Sequence, residues 1–161
     1  MFQELLEHIG FGDKSIYVEL NYVDVCDKYG VQEIGHAEET KLYEDYGSVV
    51  FLKYFPTYTS PFWNMASHPD NPNLAKKIDV ILYGIETIGS AEREVDIEVM
   101  RHKFYSISDG QYAGILIEKF GKERVEKELD DFLNNHQFFT RSGAGMGITR
   151  LIRACRLHGL I

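Results

Sequence analysis

The sequence predicts an α+β fold, in which a strand-rich part of the chain is followed by a helix-rich part. Two observations predict it. Apolar, β-branched segments at 48–55 and 76–90 are typical of buried strands. From residue 110 onward, apolar residues recur instead at helical spacing, with charged residues between them. This order of segments agrees with the α+β class.

The first half of the chain is predicted to contain one clear helix and one clear strand. Residues 18–34 fit either a strand or a short helix, and both remain open. Residues 36–47 are predicted to form a helix that stops at a glycine. Residues 48–55 are predicted to form a buried strand that Pro56 ends. The turn formers of HPDNPN, 68–73, predict a flexible loop.

The second half is predicted to begin with a hairpin and to continue with helices. Residues 76–90 are read as two strands around Tyr83 and Gly84. Helices are predicted at 110–120 and 121–135. A final helix is predicted to bury the side that carries its apolar residues, Ile148, Leu151, Ile152 and Cys155.

Composition limits the classes of protein to consider. A length of 161 residues predicts one domain, 1–161. The contents of 26% charged and 44% hydrophobic residues are those of a globular protein. The net charge of -8 argues against binding nucleic acid by overall attraction, although a local basic patch is compatible with it. All seven arginines lie beyond residue 92.

Neither a transition-metal site nor a membrane segment is predicted. Cys26 and Cys155 are far apart, and the six histidines form no ligand-like cluster. No uninterrupted apolar run approaches the roughly 18 residues that a membrane span needs. The first ten residues, MFQELLEHIG, carry acids where a signal peptide carries bases, so a cytoplasmic location is expected.

A glycine-rich segment precedes the last helix. In SGAGMGITRLIRA, 142–154, Gly143, Gly145 and Gly147 alternate, and Arg150 falls in the first helical turn. The spacing differs from the dinucleotide fingerprint, which requires a third glycine where Ile148 stands. Bare backbone, a helix start and a guanidinium favour an anion such as a nucleotide phosphate. The alternative is close strand packing, with arginines on a solvated face.

Two carboxylates are predicted to share one face of the hairpin. With a two-residue turn at 83 and 84, Ile81 lies opposite Glu86, and Asp79 is the diagonal neighbour of Glu86. Diagonal positions lie roughly 7 to 8 Å apart, which suits carboxylates that hold magnesium ions on bound phosphates. Two unrelated acids at a sheet edge are the alternative.

Arg93 follows Glu86 by seven residues, directly after the second strand of the hairpin. It is placed to pair with a carboxylate of a substrate. A surface ion pair with Glu92 or Glu94 explains the residue equally well.

Three stretches in order resemble the catalytic core of class II aminoacyl-tRNA synthetases, in the aspartyl and asparaginyl branch. They are VVFLKYFPTYTSPFW at 49–63, KIDVILYGIETIGSAER at 77–93 and SGAGMGITRLIRA at 142–154. The last two are most similar to stand-alone asparaginyl-synthetase-like paralogues that lack an anticodon-binding domain and make asparagine. The resemblance implies an antiparallel sheet flanked by helices and covers the distal half of the family's core. The predicted fold class rests more on this resemblance than on the pattern of segments.

The resemblance also implies roles for individual residues. Asp79 and Glu86 match the acids that bind magnesium and ATP, and Arg93 matches the arginine that holds the α-carboxylate of the amino acid. Arg150 matches the motif 3 arginine that packs on the nucleotide. The three glycines, Gly143, Gly145 and Gly147, would let the nucleotide come close. The implied cofactors are ATP and Mg²⁺, and the implied reaction joins aspartate to the α-phosphate of ATP.

Departures from the family pattern bear on the partners. Phe139 to Ser142 replace the Pro-Pro-His-Gly of the tRNA-charging members, and Thr149 replaces an acid, so tRNA charging is disfavoured. No arginine precedes Arg93, so the motif 2 arginine is not supplied by the first half of this chain. A second subunit or a separate proximal half-core is therefore expected, as is a homo-oligomer, because a half-core leaves a sheet edge open. A truncated binding or regulatory paralogue without turnover is the alternative.

Overall fold

The computed structural model describes residues 1–161, which form seven α-helices and six β-strands. The helices are α1 Phe2–Ile9, α2 Tyr22–Tyr29, α3 His36–Tyr46, α4 Ile97–Ser106, α5 Gln111–Phe120, α6 Lys122–Asn135 and α7 Ile148–His158. The strands are β1 Val18–Asn21, β2 Val49–Pro56, β3 Ser67–His68, β4 Asn71–Leu82, β5 Ile85–Arg93 and β6 Arg141–Met146. No helix combines the length and the apolar character that crossing a membrane requires.

The strands form one six-stranded sheet in the order β1-β2-β4-β5-β6, with β3 paired to β4. β1 runs parallel to β2, and β3 runs antiparallel to β4. A turn at Tyr83 and Gly84 joins β4 to β5, and both residues have left-handed backbones, with φ of 50° and 75°. Such a pair defines the two-residue hairpin turn that matches the twist of the strands. The predicted fold class and the predicted hairpin are confirmed.

The chain divides into two compact units. The first unit contains residues 1–55, 77–90 and 144–161. It has two apolar clusters, one around Leu6, Phe51 and Val80, and another around Leu42 and Ile81. β2 contributes to both clusters, with Phe51 in one and Val50 and Leu52 in the other, because alternate residues of a strand point to opposite faces. The predicted buried strand is therefore present, covered on both faces.

The second unit contains residues 56–76 and 91–143. Its core is built mainly from helices α4, α5 and α6 around Trp63, Met100 and Leu133. α4 begins where the Asp96 carboxylate accepts the backbone N–H groups of Glu98 and Val99, at 2.9 and 3.0 Å, which is a strong N-cap. The helices predicted at 110–120 and 121–135 are confirmed as α5 and α6.

The structure decides two points that concern residues 18–34 and 68–73. Residues 18–34 contain both alternatives in succession, the strand β1 and then the helix α2. The loop predicted at 68–73 is wrong, because only a tight turn separates β3 from β4, which begins at Asn71. Turn formers mark that reversal of the chain, but they do not reveal that strands begin on both sides of it.

The buried side of α7 also differs from the prediction. Ile148 and Ile152 are 61% and 39% exposed, whereas Ala154 is fully buried and Leu151 and Cys155 pack on the first cluster. Apolar residues at helical spacing lie on both sides of this helix. The small alanine is the residue that lets the helix approach the core closely.

Candidate functional site

The carboxylates of Asp79 and Glu86 converge in the first unit on the backbone of Gly89. A Cβ atom placed on Gly89 would lie 2.8 Å from Oε1 of Glu86 and 3.4 Å from Oδ1 of Asp79. β4 positions Asp79 and β5 positions Glu86, so the hairpin turn sets the register that brings the two acids together. The absence of a side chain at Gly89 provides the space that the carboxylates occupy.

Asp79 is buried, and only one of its carboxylate oxygens has a partner. The ammonium of Lys77 donates to Oδ2 at 2.5 Å and lies 3.7 Å from the centroid of the Phe55 ring. Oδ1 has no hydrogen-bond partner. Burial raises the pKa of Asp79 to about 6, against the opposing effect of Lys77, and the charge of Glu86 raises it further. Asp79 thus has one buried carboxylate oxygen that no group of the chain satisfies, on a carboxylate whose pKa is about 6.

Glu39 on α3 is a third acid of this site that the sequence did not reveal. Its carboxylate accepts the backbone N–H of Glu86 at 3.1 Å. Burial is the main cause that raises the pKa of Glu39, and the charge of Glu86 adds to it, while that hydrogen bond and Arg150 lower it. Glu39 is one of four acids in HAEETKLYEDY, and nothing in its spacing distinguishes it from its neighbours. The hydrogen bond to the backbone of β5 is what places Glu39 in this site.

Arg150 projects from the first turn of α7 toward the hairpin that carries the acids. Its guanidinium donates to the backbone carbonyl of Glu86 at 2.7 Å and remains exposed. Its side chain lies over Gly147, where a Cβ atom would be 3.1 Å from Cδ of Arg150. The N–H of Gly147 in turn donates to the carbonyl of Thr87 at 2.9 Å. A cation is therefore held beside the acids with donors still free for an anion.

The start of α7 has the features predicted for an anion site. The helix begins after Gly147 without a side-chain cap, so its first N–H groups lack that partner. At Gly145 a Cβ atom would meet nothing within 4 Å. Packing within the chain therefore does not explain Gly145, whereas a Cβ atom at Gly147 would crowd the Arg150 side chain.

Arg93 lies at the end of β5, in the second unit. Its guanidinium donates to Oδ1 of Asn64 at 3.0 Å and lies against Gly143, where a Cβ atom would be 3.1 Å from Nε and from Nη2. The alternative ion pairs with Glu92 and Glu94 do not form. Those acids pair with lysines instead, with Lys76 at 2.8 Å and with Lys103 at 3.3 Å. Arg93 thus has no carboxylate partner. The side-chain amide of Asn64 and the backbone of Gly143 contact its guanidinium.

The acids Asp79 and Glu86 suit a magnesium ion only as part of a larger set of ligands. No group of three or more His, Cys, Asp or Glu is close enough to hold a metal ion by itself. Magnesium, however, is commonly bound by one or two carboxylates together with waters and phosphate oxygens. The unpartnered Oδ1 of Asp79 and the neighbouring Glu86 carboxylate are oxygen donors of the kind that such a site uses.

Comparison with known families matches almost the whole chain. Residues 1–156 match the family described as tRNA synthetases class II (D, K and N). The asparagine–tRNA ligase of Lactobacillus helveticus is 33% identical over 128 residues, which are 78% of this chain and 26% of that protein. The asparagine–tRNA ligase of Pelotomaculum thermopropionicum is 29% identical over 136 residues, 83% of this chain and 28% of that protein.

Solved structures share the fold. Asparaginyl-tRNA synthetase from Pyrococcus horikoshii, complexed with asparaginyl-adenylate, matches 88% of this chain with a TM-score of 0.65 and 20% identity. Aspartyl-tRNA synthetase from Entamoeba histolytica matches 86% with a TM-score of 0.62 and 21% identity. The chain covers 32% and 28% of those two chains. It therefore spans about a quarter to a third of the length of the proteins that it resembles.

Proposed function

The chain belongs to the class II tRNA synthetases of the aspartate, lysine and asparagine group, and we propose that it carries the nucleotide- and amino-acid-binding residues of a ligase that activates aspartate. The observation that carries the proposal is the convergence of Asp79 and Glu86 on Gly89, with Arg150 bound to the carbonyl of Glu86. Two acids that suit a metal and one cation that suits a phosphate match the charges of a triphosphate bound with Mg²⁺.

The proposed reaction forms an aspartyl adenylate. A carboxylate oxygen of aspartate attacks the α-phosphorus of ATP, a new P–O bond forms, and the bond to the bridging oxygen breaks as pyrophosphate leaves. Arg150 neutralises phosphate charge with the guanidinium donors that the Glu86 carbonyl does not use. Arg93 binds a carboxylate of the amino acid, because it has no carboxylate partner within the chain.

Asp79 and Glu86 would hold Mg²⁺ through their carboxylates, and the ion would supply further neutralisation of the phosphate oxygens. Glu39 fixes the backbone of Glu86 through its hydrogen bond and so helps to set where that carboxylate points. Most of the catalysis would come from positioning and from charge neutralisation.

Titration calorimetry of the whole chain tests this assignment before any turnover is measured. ATP should bind more tightly with Mg²⁺ than without it, and Glu86→Gln should remove that difference. Glu44→Gln is the matched control, because it makes the same change of charge at an exposed position of the same unit. Equal Mg²⁺ dependence in the wild-type chain and in Glu86→Gln would refute the assigned role of Glu86.

A second function, nucleotide binding without turnover, is favoured by one observation. Lys77 already occupies Oδ2 of Asp79 and so competes with a metal ion for that oxygen. In that case the chain binds ATP or the amino acid without forming an adenylate. Binding of ATP with no adenylate formed would support this function.

A further inference from the structure

A cleft of about 400 Å³ opens in the second unit, and none of the residues assigned to ATP or to the amino acid lines it. Its walls are the segment that follows β2, the β3–β4 hairpin, the end of α4 and the turn at 107–110. This volume lies within the range of sites that bind small molecules. The lining combines aromatic rings, hydroxyl groups, one lysine and one aspartate, so the cleft is neither purely apolar nor dominated by charge of one sign.

The lysine of the cleft, Lys103, is already satisfied. Its ammonium donates to the carbonyl of Met65 at 2.7 Å, to the hydroxyl of Ser67 at 3.0 Å and to the carboxylate of Glu94 at 3.3 Å. An ammonium has three donors, and all three are in use here. The charge of Lys103 is also balanced by Glu94. The cleft therefore offers no free cation to an anionic ligand.

The aspartate of the cleft, Asp109, is in the opposite state. It is exposed, and its carboxylate takes part in no hydrogen bond or ion pair within the chain. Tyr58 and Phe62 line the same cleft and are 57% and 44% exposed, so part of each ring is open to a ligand. A free carboxylate and exposed aromatic rings on the wall of one cleft are the combination that attracts an organic cation, through charge pairing and through cation–π contact.

The backbone around the cleft supports a binding role independently. Five non-glycine residues of the chain have left-handed backbones, and three of them, Ser60, Ser108 and Asp109, line this cleft with φ of 50°, 52° and 54°. Such conformations are unfavourable for residues with a side chain, and they cluster at ligand-binding sites. The turn that carries the free carboxylate of Asp109 is therefore held in an unfavourable backbone conformation.

We propose that this cleft binds a small organic cation, an ammonium compound, with Asp109 as its counter-ion and with Tyr58 and Phe62 as its aromatic wall. The net charge of -8 favours the approach of such a ligand over that of an anion. The site is independent of the proposed activation of aspartate, because it uses none of the residues assigned to that reaction.

Titration calorimetry of the whole chain with choline tests the proposal, and 3,3-dimethylbutan-1-ol is the probe of the same shape without the charge. Choline should bind, and the neutral alcohol should bind at least about tenfold more weakly. Spermidine provides a second cation with primary amines. Failure of both cations to bind at about 10 mM, or equal binding of choline and the alcohol, would overturn the proposal.

Asp109→Asn removes the charge while keeping a residue that tolerates the left-handed backbone, and it should weaken choline binding at least about tenfold. Asp131→Asn is the control, because it removes the same charge from an exposed position on α6. Equal weakening in both variants would show that overall charge alone attracts choline and would overturn the site. Phe62→Leu keeps an apolar residue without the ring, and unchanged choline binding in that variant would refute the aromatic wall.

Discussion

The carboxylate of Glu86 lies against the bare backbone of Gly89, where a Cβ atom would be only 2.8 Å from its Oε1. Non-bonded atoms do not approach that closely without displacement. The flexible end of the Glu86 side chain would therefore move before the backbone does. The position of the acid thus depends on a glycine three residues along the same strand.

Gly89→Ala is predicted to displace the Glu86 carboxylate with little loss of stability. The backbone of Gly89 is not left-handed, so the alanine itself is not strained. Affinity for ATP should lose its Mg²⁺ dependence, while the free energy of unfolding changes by less than about 1 kcal/mol. Gly114→Ala is the control, because a Cβ atom there meets nothing within 4 Å. If the affinity of Gly89→Ala for ATP still depended on Mg²⁺ as in the wild-type chain, the Glu86 carboxylate would not be a metal ligand.

The contribution of Asp79 to stability is predicted to fall as the pH rises from about 4 to about 6. The pKa of Asp79 is about 6 in the folded chain against an ordinary value of 3.8, so the folded state binds this proton more tightly. The stabilisation is fully present below pH 3.8 and is lost as the pH passes 6. It should amount to on the order of 2 to 3 kcal/mol.

Urea unfolding between pH 4 and 7 measures this dependence, and Asp79→Asn should flatten it. Glu39 should still contribute in the same direction in that variant, because its pKa is also raised. An identical slope in the wild-type chain and in Asp79→Asn would contradict the account of Asp79 as a buried acid.

Glu39→Ala is predicted to cost about 1 to 3 kcal/mol of stability, because the N–H of Glu86 would lose its acceptor. Glu39→Gln retains a carbonyl oxygen that can accept the same hydrogen bond, so it should cost less. Urea unfolding of the two variants checks this order, with Glu44→Ala as an exposed control on the same helix. If Glu39→Ala lowered the free energy of unfolding no more than Glu44→Ala does, the hydrogen bond from Glu86 to Glu39 would contribute nothing to stability.

Arg93→Ala is predicted to weaken aspartate binding and to leave ATP binding nearly unchanged. Gly143→Ala should act in the same direction but less strongly, because its methyl group would press on the Arg93 guanidinium. Calorimetry with each ligand separates the two effects. Arg124→Ala removes an exposed arginine of the same unit and serves as the control. Equal loss of both ligands in Arg93→Ala would refute the assigned role.

The hairpin and the longer helices were predictable because local chemistry determines them. Tyr83 and Gly84 fall between two β-branched runs, and a two-residue turn there fixes the register of Asp79 and Glu86. Resemblance to a family then assigned roles that spacing alone had left open. The loop predicted at 68–73 failed because its turn residues say nothing about the pairing of the flanking strands.

Other parts of the site depend on contacts between residues distant in sequence. Glu39 reaches the backbone of Glu86 from a position 47 residues away, and no pattern within its own helix indicates that contact. The isolation of Arg93 from Glu92 and Glu94 likewise follows from lysines that compete for those acids. Periodicity also could not show which side of the last helix faces the core.

Aspartate-dependent exchange of pyrophosphate into ATP, measured with the whole chain and Mg²⁺, tests the central claim most directly. The account predicts exchange with aspartate that disappears in Glu86→Gln and persists in Glu44→Gln. Asparagine in place of aspartate tests the choice of amino acid in the same assay. Absence of exchange from a chain that still binds both ATP and aspartate would contradict adenylate formation and would leave nucleotide binding without turnover as the function.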